Sequence, residues 1–428
     1  MKRVLIISPY FPPTNAADMQ RVRMSLPYFR DYGWEAEIVA VHWKYTDLQQ
    51  DDLLLEMVPE DIIIHRVKPL DKRLTSKFGL GSIALRSIAA YRKCVNLLLR
   101  EKKYDLIYFS TTQFPICILG CYWKNKFNIP FVIDLQDPWH SNYYEDKPKN
   151  QRPKKYWLSY RFNKYLEPLA FRSVDGIISV SESYITEIKK RYPGLKDVPS
   201  STITFGAYSP DIQIAIKNKD KFPSLLQPGY KNLVYIGRGG QDMHKAITPL
   251  FAALKTGLTK YPLLFSQLKL YFIGTSYAAP GQGEQTIRPL AKDYGIEDQV
   301  IESTDRVSYY QTLSTLQQAD ALFIPGSDDP SYTASKIYPY LLAKRPLLAI
   351  VNAESSIIRI VQEYNVKSIY TYDNTPDIIE KIVTFLRQIV TDDLEIPDYN
   401  ENAIKKYGAK NMTAKQCILF DNVLERTQ

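Results

Sequence analysis

The chain is poor in the residues that announce thiol, metal or nucleophile chemistry. In 428 residues it carries four cysteines and four histidines. Cys94, Cys117, Cys121 and Cys417 are too few and too scattered for a disulfide framework. Cys117 and Cys121 are spaced C-x3-C with no histidine near them, which argues against a zinc site. Reduced, buried thiols in a cytoplasmic protein are the expectation. His42, His65, His140 and His244 are dispersed, and no Ser-His-Asp order emerges. No uninterrupted apolar run reaches the roughly 18 residues needed to span a bilayer. The opening "MKRVLIISPYFPP" imitates a secretory signal, but its apolar run stops at Ile7, ahead of Pro9, Pro12 and Pro13. The expectation is a protein with no metal site and no cofactor, cytoplasmic, either soluble or peripheral on the inner face of the membrane.

What is present describes a globular protein with anionic partners. A length of 428 residues favours two domains over a single core. With 45% hydrophobic and 24% charged residues and no low-complexity block, disorder is excluded as the overall state. A net charge of +9 favours a phosphate ligand, a polyanion or an acidic membrane surface. The 32 tyrosines fit sheet-rich cores and a surface able to stack on rings.

Short apolar runs alternate with helical patterns. Strands are expected at 4–8, 36–41, 61–67, 105–110, 131–135, 176–181 and 201–205, with helices at 82–102 and 181–191 among them. A polar, Pro- and Lys-rich stretch at 209–230 reads as a linker or surface excursion. Beyond it the pattern restarts, with strands at 232–237, 268–274, 299–303, 320–325, 346–351 and 367–372. Near-continuous apolar strands between helices belong to parallel sheets covered on both faces. The fold class is therefore α/β, with two doubly wound, Rossmann-like domains in succession. An amphipathic helix at 400–426 has no strand to follow and is free to pack back on the first domain. The expected division is 1–205 plus 400–428 for the first domain and 206–399 for the second. Open parallel sheets bind ligands at the carboxyl ends of their strands, so two such domains facing each other would line a cleft with those loops.

Four loops hold the chemistry. In "SPYFPPTNAADMQRVR" a stiff turn with Pro13 and Asn15 leads to Asp18, a candidate cap for a helix carrying Arg21 and Arg23. A helix start beside a rigid loop can approach a phosphate or sugar; the alternative is a surface turn with solvated arginines. In "FVIDLQDPWH", Asp137 follows the strand end and can bind acceptor hydroxyls or act as a base, Trp139 offers a flat face to a sugar, and His140 is near enough to join them. Asp134, inside the strand, fits a structural role at least as well. In "YIGRGGQDMHK", Gly237, Gly239 and Gly240 permit an anion nest, Arg238 a phosphate fork and Lys245 a second cation in the next helix. A dinucleotide fingerprint fails there, since no third glycine opens the helix. In "PGSDDPSYTASKIYPYLLAKRP", Ser331, Thr333 and Ser335 gather at a helix start beside Lys336. Two weaker loops add Gly274, in a flexible Pro/Gly loop that can meet a base or sugar, and Thr112 and Gln113 at the end of the fourth strand.

Together these segments resemble the two-domain GT-B glycosyltransferases, and among them the retaining family 4 that uses nucleotide-sugar donors. The likeness runs over nearly the whole chain: "ISPYFPP" with Arg21, "DLQDPW", "YIGRGG" with Lys245, the 325–349 segment, and the last helix. It implies that this helix crosses back to the N-terminal domain. It also implies that Arg238 and Lys245 hold the donor phosphates, that the amides near Tyr332, Thr333 and Ala334 face the diphosphate, and that Asp137 lies on the sugar or acceptor side. A metal-independent reaction follows from cations and amides that stabilise the leaving diphosphate. Three departures stand out. Asn15, Ala16 and Ala17 replace the usual paired glycines; Thr111, Thr112 and Gln113 stand where many members have a histidine; and the two glutamates of E-x7-E fall at Ser331 and Pro339. With Pro339 in place of the ribose-holding glutamate, Glu354 or Asp329 is the candidate substitute.

The resulting expectation is a glycosyltransferase acting on a UDP-, GDP- or dTDP-type sugar donor and a saccharide or lipid-linked acceptor. Surface polysaccharide or glycolipid assembly is the expected setting. The segment 147–172 sets eight Lys and Arg against one acid among aromatics, which suits an anionic membrane surface. Nucleic acid is not expected, because no binding module accompanies the patch. The alternatives are a non-catalytic nucleotide-sugar-binding partner of a transferase complex and a sugar-nucleotide epimerase, for which the loops hold too few carboxylate and histidine pairs.

Overall fold

The computed structural model of the chain describes residues 1–78, 81–140, 145, 148, 152, 156–328, 336–373, 377–394 and 398–427. It divides into two compact units, Met1–Gly206 with Ala409–Gln428, and Ala207–Gly408.

The first unit is built on strands β1 (Lys2–Ile7), β2 (Trp34–Val41), β3 (Ile64–Val67), β4 (Leu106–Ser110), β5 (Phe131–Leu135), β6 (Gly176–Ser179) and β7 (Ser200–Thr202). They form one sheet in the order β3-β2-β1-β4-β5-β6-β7, with every pairing parallel. Its helices are α1 (Gln20–Ser25), α2 (Lys72–Thr75), α3 (Ile83–Glu101), α4 (Ile118–Phe127), α5 (Tyr156–Phe171) and α6 (Glu182–Arg191).

The second unit carries β8 (Lys231–Ile236), β9 (Leu268–Ile273), β10 (Val300–Ser303), β11 (Ala321–Pro325), β12 (Leu347–Val351) and β13 (Ile369–Thr371). Their order is β10-β9-β8-β11-β12-β13, again all parallel. Its helices are α7 (Ser209–Lys217), α8 (His244–Lys260), α9 (Pro262–Phe265), α10 (Arg288–Asp293), α11 (Tyr309–Gln318), α12 (Ile337–Leu342), α13 (Ile357–Glu363), α14 (Ile378–Val390) and α15 (Glu401–Lys406). The last helix, α16 (Ala409–Thr427), belongs to the first unit.

Two-sided burial explains the apolar strands. Every residue of β4, β5, β11 and β12 is buried. One face of the first sheet packs on Tyr91 and Val95 of α3, Trp123 of α4 and Phe171 of α5. α16 covers other strand residues through Phe420, whose ring lies 5.1 Å from Tyr108 and 5.4 Å from Trp34. Trp34 Nε1 donates to Asp421 at 3.0 Å, and Gln416 Nε2 donates to Ser25 at 2.8 Å. Gly176 permits the close approach, since a Cβ there would lie 2.7 Å from Val423 Cγ2.

The stretch expected as a linker at 209–230 begins instead with α7. Pro210 sits in its first turn, where a missing amide costs nothing. Ile212, Ile214 and Ala215 are buried, and the Asp211 carboxylate accepts hydrogen bonds from Tyr309 Oη at 2.8 Å and Tyr310 Oη at 3.0 Å on α11. Loop-like composition concealed a short helix held by tertiary contacts. The helix expected at 400–426 is two, α15 and α16.

A polar knot lies inside the first unit. Arg21 on α1 and Asp134 on β5, both fully buried, meet at 2.6 Å. Arg21 also donates to the carbonyls of Ile203 (2.7 Å) and Thr204 (3.2 Å), and its guanidinium lies 5.0 Å from the Phe205 ring centre. Asp134 Oδ2 accepts further bonds from Tyr108 Oη at 3.2 Å, Ser110 Oγ at 3.1 Å and Gln136 Nε2 at 2.9 Å. Removing one partner strands the other's charge without water. Arg21→Ala is therefore expected to cost about 3–5 kcal/mol, read as a lower urea midpoint. A loss below about 1 kcal/mol would mean that the pair is not holding β5 to α1.

Candidate functional site

The site of the second unit forms where β8, β9 and β10 end. β8 pairs with β11 only through Leu233 and Val234, so the strands part before Ile236. There Tyr340 of α12 replaces the missing ladder: its Oη accepts from Ile236 N at 2.7 Å and donates to Ile236 O at 3.1 Å. That hydroxyl ties α12 to the strand end that carries Gly237.

Gly237 leaves room for a cation. A Cβ added to it would lie 2.4 Å from Tyr235 Oη and 2.7 Å from Lys336 Nζ. Lys336 is half-buried, with its ammonium closely surrounded, and makes no hydrogen bond or ion pair with a described residue. Loss of water around it, with the charges of Arg306 and Arg238 added, pushes its pKa down to about 7. Arg306 guanidinium carbon lies 4.6 Å from the centre of the exposed Tyr277 ring.

Arg238 is held as a fork. Its two terminal nitrogens donate to Asp242 Oδ1 at 3.0 Å and Oδ2 at 2.7 Å, and Ser327 Oγ donates to Oδ2 at 2.7 Å. Burial alone would raise the Asp242 carboxyl, but the bonds and charge of Arg238 outweigh it and hold it below its ordinary value. Gly240, at φ +146°, lets this carboxylate fold back, since a Cβ would sit 2.5 Å from Asp242 Oδ1. Lys245 is exposed in the first turn of α8.

Two expectations for the glycine loop change. The Gly237 amide donates to Ile273 O at 2.9 Å and the Gly239 amide to Thr275 O at 2.7 Å, so neither is free to form an anion nest. Gly239 is required by crowding rather than by φ: a Cβ would lie 2.9 Å from Thr286 Oγ1. Gly274 does need its freedom, at φ +74° with its amide bonded to Ser303 O at 2.8 Å. The 272–291 loop is pinned rather than loose. Glu302 accepts from Thr275 Oγ1 (2.8 Å) and from the amides of Thr286 (3.1 Å), Ile287 (3.0 Å) and Arg288 (2.7 Å). Ser331, Tyr332, Thr333, Ala334 and Ser335, with Asp329, lie outside the described residues. Pro339 is the third residue of α12, where its missing N–H has no intrahelical use. Glu354 is exposed.

The first unit gathers its candidates differently. Asp18 does not cap α1. Its carboxylate turns to the end of β4 and accepts from Thr111 Oγ1 at 2.9 Å, Thr112 N at 3.1 Å and Thr112 Oγ1 at 3.3 Å. Burial raises its pKa against the pull of those bonds. Asp137 follows β5 with its side chain accessible, yet closely surrounded. Loss of hydration and the nearby Asp18 charge push its carboxyl up to about 6, the range of a group that exchanges protons near neutral pH. Gln113 is half-buried, and its amide donates to Thr111 Oγ1 at 2.9 Å.

Three expected ligand contacts in this unit are structural instead. Arg21 is consumed by Asp134. Trp139 is in the core, stacked on Phe114 at 5.4 Å, with Phe171 at 6.3 Å and its Nε1 donating to Asn163. Its flat face is covered. His140 is buried with its ring 4.7 Å from that of Tyr160 and both ring nitrogens without a partner. Burial, then the charges of Arg191 and Lys164, lower its pKa and keep it neutral. Pro13 is buried beyond a cis Pro12–Pro13 bond, and the amide of Asn15 donates to Gln49 O at 2.8 Å. Arg306, Asp242 and Tyr277 were not singled out by sequence. Only Asp242, four residues after Arg238, carried a signal, the spacing of a helical ion pair.

Residues 28–204 match the family model Glycosyltransferase Family 4. Comparison with curated proteins returned no match. Among solved structures, sucrose-phosphate synthase from Thermosynechococcus elongatus superposes with a TM-score of 0.61 at 12% identity, covering 100% of both chains. Anabaena Alr3699/HepE, determined in complex with UDP-glucose, gives 0.54 at 16% identity over 100% of this chain and 99% of its own. WaaG, a glycosyltransferase involved in lipopolysaccharide biosynthesis, gives 0.53 at 14% identity, with 100% and 99% covered. The chain thus has the GT-B fold of these glycosyltransferases, and over residues 28–204 it matches glycosyltransferase family 4.

Proposed function

We propose that the protein moves a sugar from a nucleotide-diphosphate donor to a hydroxyl acceptor, in the assembly of a surface polysaccharide or glycolipid. The observation that carries this reading is the half-buried ammonium of Lys336, which makes no hydrogen bond or ion pair with a described residue and lies against Gly237 under the charges of Arg306 and Arg238. Among the described residues, Asp242 is bonded to one of the three charges, that of Arg238. A diphosphate would neutralise the remainder, in surroundings where its charge interacts strongly. The likeness to HepE bound to UDP-glucose supports a nucleotide-sugar donor, and UDP is the first nucleotide to test.

In this reading the bond between the anomeric carbon and the diphosphate oxygen breaks, and its electron pair leaves with the nucleoside diphosphate. Arg238, Lys245 and Lys336 stabilise that developing charge, so the step needs no metal ion. The acceptor oxygen bonds to the anomeric carbon, and Asp137 is assigned the acceptor side, where it receives the hydroxyl proton. Retention of configuration is the outcome that the family resemblance implies.

Pro339 favours one other reading, a nucleotide-sugar binder without turnover, because it stands where the resemblance places the ribose-holding glutamate. Turnover of a UDP-, GDP- and dTDP-sugar panel separates the two. The transferase reading expects release of nucleoside diphosphate from one donor; binding without release from any would favour the other. Arg238→Ala and Lys245→Ala are each expected to lose about 2–4 kcal/mol of transition-state stabilisation, roughly thirtyfold to a thousandfold in kcat/KM. Unchanged rates would remove both from the site.

Two pH measurements follow. With its carboxyl at about 6, Asp137 acts as a base only above that pH, so the rate should fall as pH drops through about 6. Asp137→Asn should be slow and lack that limb; an unchanged limb would reassign it. Lys336, at about 7, is mostly neutral at pH 8 in the free protein, and an anion raises its pKa again. Binding of a nucleoside diphosphate at pH 8 should therefore take up a proton, seen by calorimetry in buffers of different ionisation enthalpy. Lys336→Met should abolish the uptake; equal uptake in the variant would contradict the assignment.

A further inference from the structure

Of the basic and aromatic segment at 147–172, the part from Tyr156 onward forms α5 and then Arg172. Leu158, Arg161, Tyr165, Leu169 and Arg172 follow one another at steps of three and four residues and are all exposed, which places them along one side of the helix. Trp157 is 64% exposed and Tyr165 69%, a large apolar area for a helix in water. Pro168 is inside this helix, and the acid of the segment, Glu167, is buried against Arg191 at 2.5 Å and Tyr192 Oη at 2.9 Å. No acid of α5 itself is exposed, and the acid described against it is Glu145, bonded to Tyr160.

The same character continues onto the neighbouring helices. A groove of about 740 Å³ runs among α3, α4 and α5, lined by Ile88, Ile118, Leu119 and Leu169 and flanked by Arg92 and Arg172. Around it, Lys93, Leu97 and Arg100 of α3 and Lys126 of α4 are exposed. On the three helices and Arg172, the exposed charges are Arg92, Lys93, Arg100, Lys126, Arg161, Lys164 and Arg172 against Glu101 alone. Tryptophan, tyrosine and leucine between cations is the pattern of a surface that seats its rings among headgroups while its charges meet lipid phosphates. No helix of the described residues is long and apolar enough to cross a membrane, so attachment by this unit would be at the surface.

We propose that the outer faces of α3, α4 and α5 form a docking surface for an anionic lipid bilayer, with Arg92 and Arg172 receiving a lipid phosphate at the mouth of the apolar groove. This deepens the proposed glycolipid role by naming where the membrane meets the protein, and it rests on that reading only for its purpose. Charge complementarity selects the bilayer over a protein partner, because the cations are spread over three helices and the apolar residues stand out singly between them.

The test is co-sedimentation of the full chain with vesicles of phosphatidylcholine alone or mixed with phosphatidylglycerol. The wild type is expected to bind only the mixed vesicles and to be released by salt. Arg161→Ala with Lys164→Ala should weaken partitioning by about tenfold or more, as should Arg92→Ala with Arg172→Ala. Trp157→Ala with Tyr165→Ala should leave the salt dependence but shorten residence. All three pairs are at exposed positions, and circular dichroism with unchanged thermal midpoints confirms that each variant folds. Equal binding to both vesicle types, wild-type binding by the charge variants, or tighter binding to a nucleic-acid duplex than to vesicles would overturn the proposal. Donor turnover in solution keeps the two readings apart: lost docking with normal turnover would refute this surface and leave the transferase standing.

Discussion

A closely surrounded ammonium that no carboxylate of the described residues pairs with is the constraint on which the second unit's site turns. The Lys336 ammonium lies against Gly237, closely surrounded and under the charges of Arg306 and Arg238, so its charge is disfavoured until an anion arrives. Much of the surrounding structure maintains that state. Tyr340 ties α12, and the lysine just before it, to the end of β8. Asp242 holds Arg238 in a two-pronged grip, and Glu302 fastens the loop on the other side through three amides. A site prepared in this way pays its desolvation cost during folding, and its donors need little rearrangement when the anion enters.

The first unit solves the opposite problem, because its charges are paired inside. Arg21 pairs with Asp134 Oδ2 inside the unit, and Asp18 is spent on the threonines after β4. That leaves Asp137 as the carboxyl at the strand ends that is accessible and raised towards neutral pH. The contrast is one of burial: Asp18 and Asp134 lie inside and bond to their neighbours, whereas Asp137 is accessible at its strand end.

How much of this was legible in sequence depended on the kind of signal. Strands such as β5, β9 and β11 were readable almost to the residue, because burial on both faces writes an unbroken apolar run. The helix α7 was not, since its Ser-Pro-Asp start looks like a loop and its support comes from tyrosines about a hundred residues away. Trp139 shows the same limit, as nothing local says whether an indole faces solvent or Phe114. Arg238 and Lys245 are candidates on the strength of the glycine-rich turn, and the structure fixes Arg238 to Asp242 while leaving Lys245 exposed on α8. Arg306 and the burial of Lys336 required three strand ends to be brought together, which no spacing along the chain reveals.

The central claim is that the second unit holds the diphosphate of a nucleotide, and thermal stabilisation by ligand tests it most directly. A ligand at a hundred times its Kd adds about 2.7 kcal/mol to stability. Among uridine, UMP and UDP, and the guanosine and thymidine series beside them, the account predicts a rise in thermal midpoint that requires the diphosphate. That rise should be lost in Arg238→Ala and in Lys336→Met. A nucleoside that stabilises as much as its diphosphate, or variants that respond like the wild type, would contradict it.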